Sequence, residues 1–300
     1  MSGIVVLGAL HHDVVVDAPR MPRLDETLPG THIDHRFGGK GGNQAVAAAR
    51  MGARVSMAGR IGRDAAAGTI RAVLEAEGVE HSRVLGIDAP TGASVAITLP
   101  SGEYGAVIVP GANLGNDGND AWREPPSAGL IQNEIPEAAN LAFASGLPSN
   151  ALLIANAAPA RRLAGELAGR IDVLVVNTVE AEGLTGCRDP DSALSILSCM
   201  VQGAVVLTRG AEGAMLRENG RITRHLGHSV GVVSTHGAGD MFTGALAARL
   251  TAGDPLESAL RFAQVAAGLF VSSPIDRRGE VTYAAVEAFL ARGGREAVHP

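Results

Sequence analysis

Short apolar runs and amphipathic runs take turns along this chain. Residues 4–7, 55–58, 130–132, 152–155, 173–176, 204–208 and 230–233 are brief apolar stretches, most of them rich in valine, isoleucine or leucine, and read as buried strands. Apolar positions recur at three- and four-residue spacing in 43–51, 65–77, 138–144, 192–200, 239–250, 256–270 and 283–291, which predicts helices. Strand and helix in alternation predict an α/β fold, a parallel sheet covered on both faces. In such sheets ligands sit outside the carboxyl ends of the strands. Residues 12–38 and 91–109 break the alternation. The second reads as a hairpin, 93–98 and 104–109 about a turn at Pro100-Ser101-Gly102-Glu103. These two β pieces predict a small sheet apart from the main layer, serving as a lid over the strand ends. Residues 115–128 read as a surface loop, and the whole of 1–300 as one domain.

Two helix starts carry the chemistry. In Ser234-Thr235-His236-Gly237-Ala238-Gly239-Asp240-Met241-Phe242, glycines turn the chain into the helix of 239–250, and an acid follows at once. Unpaired N–H groups and the positive end of the helix dipole at such a turn suit a phosphate or an oxyanion. An aspartate at the same turn can take a proton from a nucleophile attacking that phosphate. The second start is Phe37-Gly38-Gly39-Lys40-Gly41-Gly42-Asn43-Gln44. Lys40 is the only lysine in a chain whose other cationic side chains are arginines. A compact ammonium wedged among four glycines suits a site that backbone approaches closely.

Composition narrows the partners. A net charge of −6 and 3% aromatic residues disfavour nucleic acid and anionic membrane. No apolar stretch reaches spanning length, Met1-Ser2-Gly3 leaves no room for a signal peptide, and the two cysteines lack metal-type spacing. A reduced cytoplasmic protein is expected. Among phosphate binders, the Gly-Lys-Ser/Thr of a Walker loop is absent because Gly41 follows Lys40. The first strand leads into Gly8-Ala9-Leu10-His11-His12-Asp13, not a Gly-x-Gly-x-x-Gly turn, and protein-kinase signatures are missing.

Four stretches, in order, carry a resemblance. Gly38–Ala49 resembles the N-terminal signature of the PfkB carbohydrate kinases, nearest to ribokinase, and Thr235–Phe242 resembles their C-terminal signature. Asn177-Thr178-Val179-Glu180 is similar to the family's Asn-x-x-Glu motif, and Thr208-Arg209-Gly210-Ala211-Glu212-Gly213 to its Thr-x-Gly-x-x-Gly stretch. The resemblance implies a Rossmann-like three-layer sandwich with a mostly parallel central sheet and a small inserted β lid. It also implies ATP, Mg²⁺ and phosphoryl transfer to a primary hydroxyl of a sugar, ribose or a related pentose foremost. Carried over, Asp240 is the base, and Gly237, Ala238 and Gly239 form the anion hole. Asn177 and Glu180 lie near the phosphates and place Mg²⁺ through water; Thr208, Gly210 and Gly213 border the nucleotide, with Gln264 near its base. His11, Asp13, Gly39, Lys40, Asn43 and Glu134 match positions that meet the sugar. A homodimer through the lid is a further expectation, since exposed sheet edges are commonly covered.

Simpler roles stand beside these. Asn177 can be a helix cap and Glu180 an exposed first-turn acid; His11 can be structural; His32 and His35 read as solvated. His11 and His12 point to opposite faces of a strand, which argues against a shared metal. Three departures from ribokinases bear on specificity. His11 stands where they carry asparagine. Ser234 stands where they usually carry an aspartate that helps hold a monovalent cation. Ser272–Gly279 departs from their Thr-Arg-Lys-Gly-Ala pattern. A monovalent cation is therefore doubtful and potassium activation is expected to be weak or absent, with backbone carbonyls, Arg277 or Arg278 as compensations. Rival readings are a family kinase for a nucleoside, a fructose-type sugar or 2-keto-3-deoxygluconate, and a non-catalytic sugar or nucleotide sensor.

Overall fold

The computed structural model of the protein describes residues 3–101 and 104–292. The described strands are β1 (Ile4–Leu7), β2 (His11–Asp17), β3 (His32–Gly38), β4 (Val55–Ile61), β5 (Glu80–Gly86), β6 (Ala93–Thr98) and β7 (Tyr104–Val109), then β8 (Ala128–Gln132), β9 (Leu152–Asn156), β10 (Val173–Asn177), β11 (Ala204–Thr208), β12 (Ala214–Glu218) and β13 (Arg221–His225). The helices are α1 (Lys40–Arg50), α2 (Ala65–Ala76), α3 (Glu137–Gly146), α4 (Gly165–Ala168), α5 (Thr178–Thr185), α6 (Pro190–Met200), α7 (Ala238–Thr251), α8 (Leu256–Ser272) and α9 (Tyr283–Ala291).

Nine strands form one sheet in the order β13-β12-β11-β10-β9-β8-β1-β4-β5; every pairing is parallel except β11–β12 and β12–β13, so β12 alone runs against the rest. Alternate residues of each central strand feed opposite cores, as the pleat requires. Ile4, Val6, Leu130, Val175 and Val206 pack with α1, α2, α7, α8 and α9 on one face. Val5, Leu7, Ile131, Leu174, Val176 and Leu207 pack with α3, α4 and α6 on the other. This is the three-layer α/β sandwich that the apolar runs predict.

Two parts of the sheet depart from the sequence reading. Residues 230–233, expected as a buried strand, are not in any strand, and Val232 and Val233 are exposed. The sheet has already ended at β13, so no ladder is open to them; Val233 and Ser234 instead donate their N–H groups to the Val271 carbonyl at the end of α8. The strands at that edge, β12 and β13, are too polar to read as buried runs. They are joined by Asn219 and Gly220, both at positive φ (50° and 77°). That Asn-Gly pair is the usual signal of a tight hairpin, and it was the available clue. The opposite edge strand β5 is polar for the same reason: an edge has a solvent side to satisfy.

The second sheet has the order β3-β2-β6-β7, with β2–β3 and β6–β7 antiparallel and β2–β6 parallel. The β6–β7 hairpin is where the sequence reading puts it; Gly102 and Glu103 of its turn, like Met1 and Ser2, lie outside the described residues. Register places His11, Asp13, Arg36 and Ser94 on one face and Ile33, Val16, Ile97, Val95, Val107 and Val109 on the other. No helix among the described residues is long and apolar enough to cross a membrane.

The two sheets are joined at Leu10 by one side chain. Fully buried Asn113 accepts the Leu10 N–H (2.9 Å) and donates to the carbonyls of Leu10 (2.9 Å) and Pro110 (3.0 Å). It thus ties the chain after β7 to the passage from β1 into β2. Asn113→Ala strands a buried donor and acceptor on Leu10. We expect a loss of about 2–3 kcal/mol, on the scale of unmade buried hydrogen bonds, read as a lower urea midpoint at unchanged m-value. An unchanged midpoint would show that Asn113 is not the joint.

Candidate active site

Asp240 lies in the first turn of α7, whose N-cap Gly237 adopts the left-handed conformation (φ 80°). A side chain there would meet the Phe270 ring as well as backbone strain. The Ala238 N–H is turned onto the Thr235 carbonyl (3.2 Å), so that one of the three expected anion-hole residues is partly engaged. The N–H groups of Gly237 and Gly239 stand at the open end of the helix, where no intrahelical acceptor exists.

The Asp240 carboxylate is 8% exposed and is met by two amides from α1: Asn43 Nδ2 (3.2 Å) on one oxygen and Gln44 Nε2 (2.9 Å) on the other. Close helix packing makes this reach feasible. At Gly244 a Cβ would strike Ala47 and the Gln44 carbonyl (both 2.6 Å), so glycine lets α7 lie against α1. Behind Gln44 runs a buried amide chain. Gln44 Nε2 also donates to Asn156 Oδ1 (3.0 Å), and Gln132 Nε2 donates to Gln44 Oε1 (2.8 Å). Asn140 Nδ2 donates to the Gln132 carbonyl (2.7 Å). Gln44, Gln132 and Asn156 join the site only through this chain of amides, and no motif in the sequence singles them out. Their signal was polarity where the pattern asks for an apolar residue, at the ends of β8 and β9 and on the buried side of α1.

The glycines around Lys40 serve packing. At Gly41 a Cβ would meet the Gly8 backbone at 2.7 Å, and at Gly42 the Phe37 ring at 2.5 Å; Gly39 has φ 86° and abuts the Ala9 carbonyl. They draw the start of α1 down onto the turn after β1, and the Lys40 N–H donates to Glu134 Oε2 (2.7 Å). Burial pushes the Glu134 carboxyl above the usual carboxylate range, opposed by the Lys40 N–H and by the charges of Lys40 and His11. His11 is buried with Nδ1 4.0 Å from Asp13, and Asp13 accepts the Ser94 N–H (3.0 Å) while lying over Gly38. His12 points the other way, its ring stacked on His35, as strand alternation predicts. His32 and His35 are exposed.

Asn177 and Thr208 are paired neighbours at the ends of β10 and β11. Asn177 and Glu180 form a reciprocal capping box: Asn177 Oδ1 accepts the Glu180 N–H (2.8 Å), and Glu180 accepts from the Asn177 N–H (2.8 Å) and Nδ2 (3.0 Å). The simpler cap role is therefore realised. Burial pushes the Glu180 carboxyl up, with the Asn177 N–H and the Lys40 charge opposing and the Asp240 charge adding. The interaction among Lys40, Glu180 and Asp240 marks them as neighbours in one cleft. Gly210 and Gly213 hold positive φ in the turn between β11 and β12. Gln264 Nε2 donates to the carbonyls of His225 (3.3 Å) and Leu226 (3.4 Å), latching the chain that leaves β13. No group of three or more metal-type side chains occurs among the described residues. A surface cavity of ≈ 510 Å³ bordered by Leu152, Asp172, Gly203 and Arg217 lies at the other end of the strands and holds none of these groups.

Asp240, Lys40, Glu134, Asn177 and Thr208 thus meet at the carboxyl ends of the parallel strands, beside the His11–Asp13 face of the second sheet. Residues 1–280 match the pfkB family carbohydrate kinase pattern. The chain is 34% identical to a ribokinase of Bacillus subtilis, covering 97% of this chain and 100% of that one. A Haemophilus influenzae ribokinase is 31% identical, over 90% and 92% of the two chains. The fold is similar to that of Arabidopsis thaliana ribokinase complexed with ribose and ATP, with TM-score 0.86 and 28% identity, over 96% of this chain and 98% of that one. With a match over nearly the whole chain and the family's signature residues gathered at one cleft, this protein belongs to the pfkB family of carbohydrate kinases.

Proposed function

We propose that this carbohydrate kinase transfers the γ-phosphoryl of ATP to the primary hydroxyl of ribose or a closely related pentose, with Asp240 as the base. The carrying observation is the Asp240 carboxylate, buried at a helix start beside a glycine turn and oriented by Asn43 and Gln44. Anchored from behind, it keeps its position as the sugar enters. Its task is to accept the proton of the attacking hydroxyl as the oxygen bonds to phosphorus. The N–H groups of Gly237 and Gly239 face the charge that gathers on the phosphoryl oxygens, and Lys40 adds a cation at the same cleft.

His11, Asp13 and Glu134 are acceptors suited to sugar hydroxyls, with Gly39 and Asn43 at the edge of that pocket. Thr208, Gly210 and Gly213 line the nucleotide half, where Gln264 holds the main chain beside exposed Leu226, Val232 and Val233, an apolar surface suited to a base. Mg²⁺ would neutralise charge on the phosphates. Asn177 already engages both Glu180 oxygens, so a hydrated ion held through water fits this pair better than direct coordination. The second sheet is read as a lid, its polar face toward the sugar. Its other face leaves Ile33 (57%), Val95 (48%), Val107 (68%) and Val109 (53%) exposed, an apolar area suited to a second copy of the chain. The cytoplasmic setting fits the two unpaired cysteines, Cys187 and Cys199.

The reading is tested with ribose and ATP. Asp240→Asn is expected to keep the fold and ATP binding while slowing turnover by about 10²–10⁴-fold, the scale of a positioned base. Turnover near the parent's at saturating sugar would remove Asp240 from the role. A parent that phosphorylates another sugar and ignores ribose would overturn the substrate.

Lys40→Ala and Asp13→Ala are expected to weaken sugar binding by about 1.5–3 kcal/mol each, the scale of a charged hydrogen bond. Titration calorimetry reads this directly; a loss of ATP affinity instead would mean that the two halves of the cleft are exchanged.

Sugar should slow hydrogen exchange in both β2–β3 and β6–β7. Protection limited to β10–β11 and α7 would contradict the lid, and a monomer across the working concentration range would contradict the dimer.

A further inference from the structure

None of these steps uses Arg278, which lies in the short turn Ile275–Glu280 after α8. It is 8% exposed, the most buried arginine described. Its guanidinium donates from Nη1 to the His236 carbonyl (2.8 Å) and from Nη2 to the Ser234 carbonyl (2.5 Å). The guanidinium carbon lies 4.4 Å from the centre of the Phe270 ring, the ring over which Gly237 turns. Its main chain is anchored in turn: the Arg278 carbonyl accepts from Arg50 Nη1 (3.2 Å), and Arg50 is paired with Glu77. A buried charge is tolerated only when it is paired or well hydrogen-bonded. Here its acceptors are carbonyls of the segment that leads into Asp240.

The two carbonyls matter because of the groups bonded to them. In a planar trans peptide the C=O of one residue and the N–H of the next point in opposite directions. Pinning the His236 carbonyl on Arg278 therefore aims the Gly237 N–H the opposite way, and pinning Ser234 does the same for Thr235. Carbonyl oxygens that converge in this manner form a position for a cation. Here the cation is covalently tethered.

We propose that Arg278 is a positioning residue for phosphoryl transfer: its guanidinium fills a cation position behind the Ser234–Gly237 turn, aims the Gly237 N–H at the transferred phosphoryl, and makes the turn independent of any free monovalent cation. The inference rests on the reading of that turn as the anion hole. It also gives a physical basis for the serine at 234: a carboxylate is not needed where the charge comes from within the chain.

The test is initial rate against KCl at constant ionic strength, a large organic cation replacing potassium, for the parent, Arg278→Ala and Arg278→Met. The parent should give a flat curve. Each variant should lose about 10²–10³-fold in kcat, the scale of a lost oxyanion donor, with the KM for sugar nearly unchanged. Each should regain part of that rate on adding potassium or guanidinium, because the carbonyls then accept a free cation. Arg278→Met keeps an apolar stem over Phe270 and carries the test if the alanine variant fails to fold. A parent rate that climbs steeply and saturably with potassium overturns the inference, as does an Arg278 variant that is folded and turns over like the parent, or one that is slow but indifferent to both cations. Asp240→Asn separates the two layers. If it remains fast, the reading of the turn fails; if it is slow while the Arg278 variants are fast, only the role of Arg278 fails.

Discussion

Burying one carboxylate at a helix start is the constraint on which this structure turns. Asp240 can be held out of water only if donors reach it, and the nearest helix with donors is α1. Asn43 and Gln44 reach it because α1 and α7 touch at backbone distance through Gly244, and because Gly41 lets α1 settle on the turn after β1. The amide chain through Gln132 and Asn156 then fixes Gln44, so the orientation of Asp240 is set by the ends of β8 and β9. The orientation of the Asp240 carboxylate and the packing of the core are here the same set of contacts.

The central layer was legible because buried parallel strands have a one-letter signature: apolar on both sides of the pleat. β1, β9, β10 and β11 could hardly be missed. Edge strands lack it. β5, β12 and β13 each satisfy one side with polar residues, and only the Asn219-Gly220 turn spoke for the last two. Residues 230–233 show the opposite error. Their composition is that of a strand, but a strand needs a partner, and local pattern carries no record of where a sheet has stopped.

The site divides in the same way. Asp240, Lys40 and the two glycine turns stand out because the residue types are unusual for their positions. The partners that orient them do not: Gln44, Gln132 and Asn156 are far apart in the chain and become a chain of amides only after the layers close. Asn177 and Glu180 were visible as a pair, and the structure shows them using their polar groups on each other in a capping box at the start of α5. For the turn at Ser234 the sequence offers Arg277 and Arg278 alike; only when α8 returns the chain beside the turn does Arg278 reach the Ser234 and His236 carbonyls, while Arg277 stays exposed and paired with Glu280.

The solitary lysine has a practical consequence. Lys40 opens α1 at the cleft, its N–H held by Glu134 and its charge felt by Glu180. With arginine used for every other permanently cationic side chain, an amine-selective reagent finds a single side-chain target, apart from the chain's amino terminus. Acylation chemistry thus addresses the cleft with no engineering, and a reporter group coupled there would view the space between the two sheets without background from any other side chain.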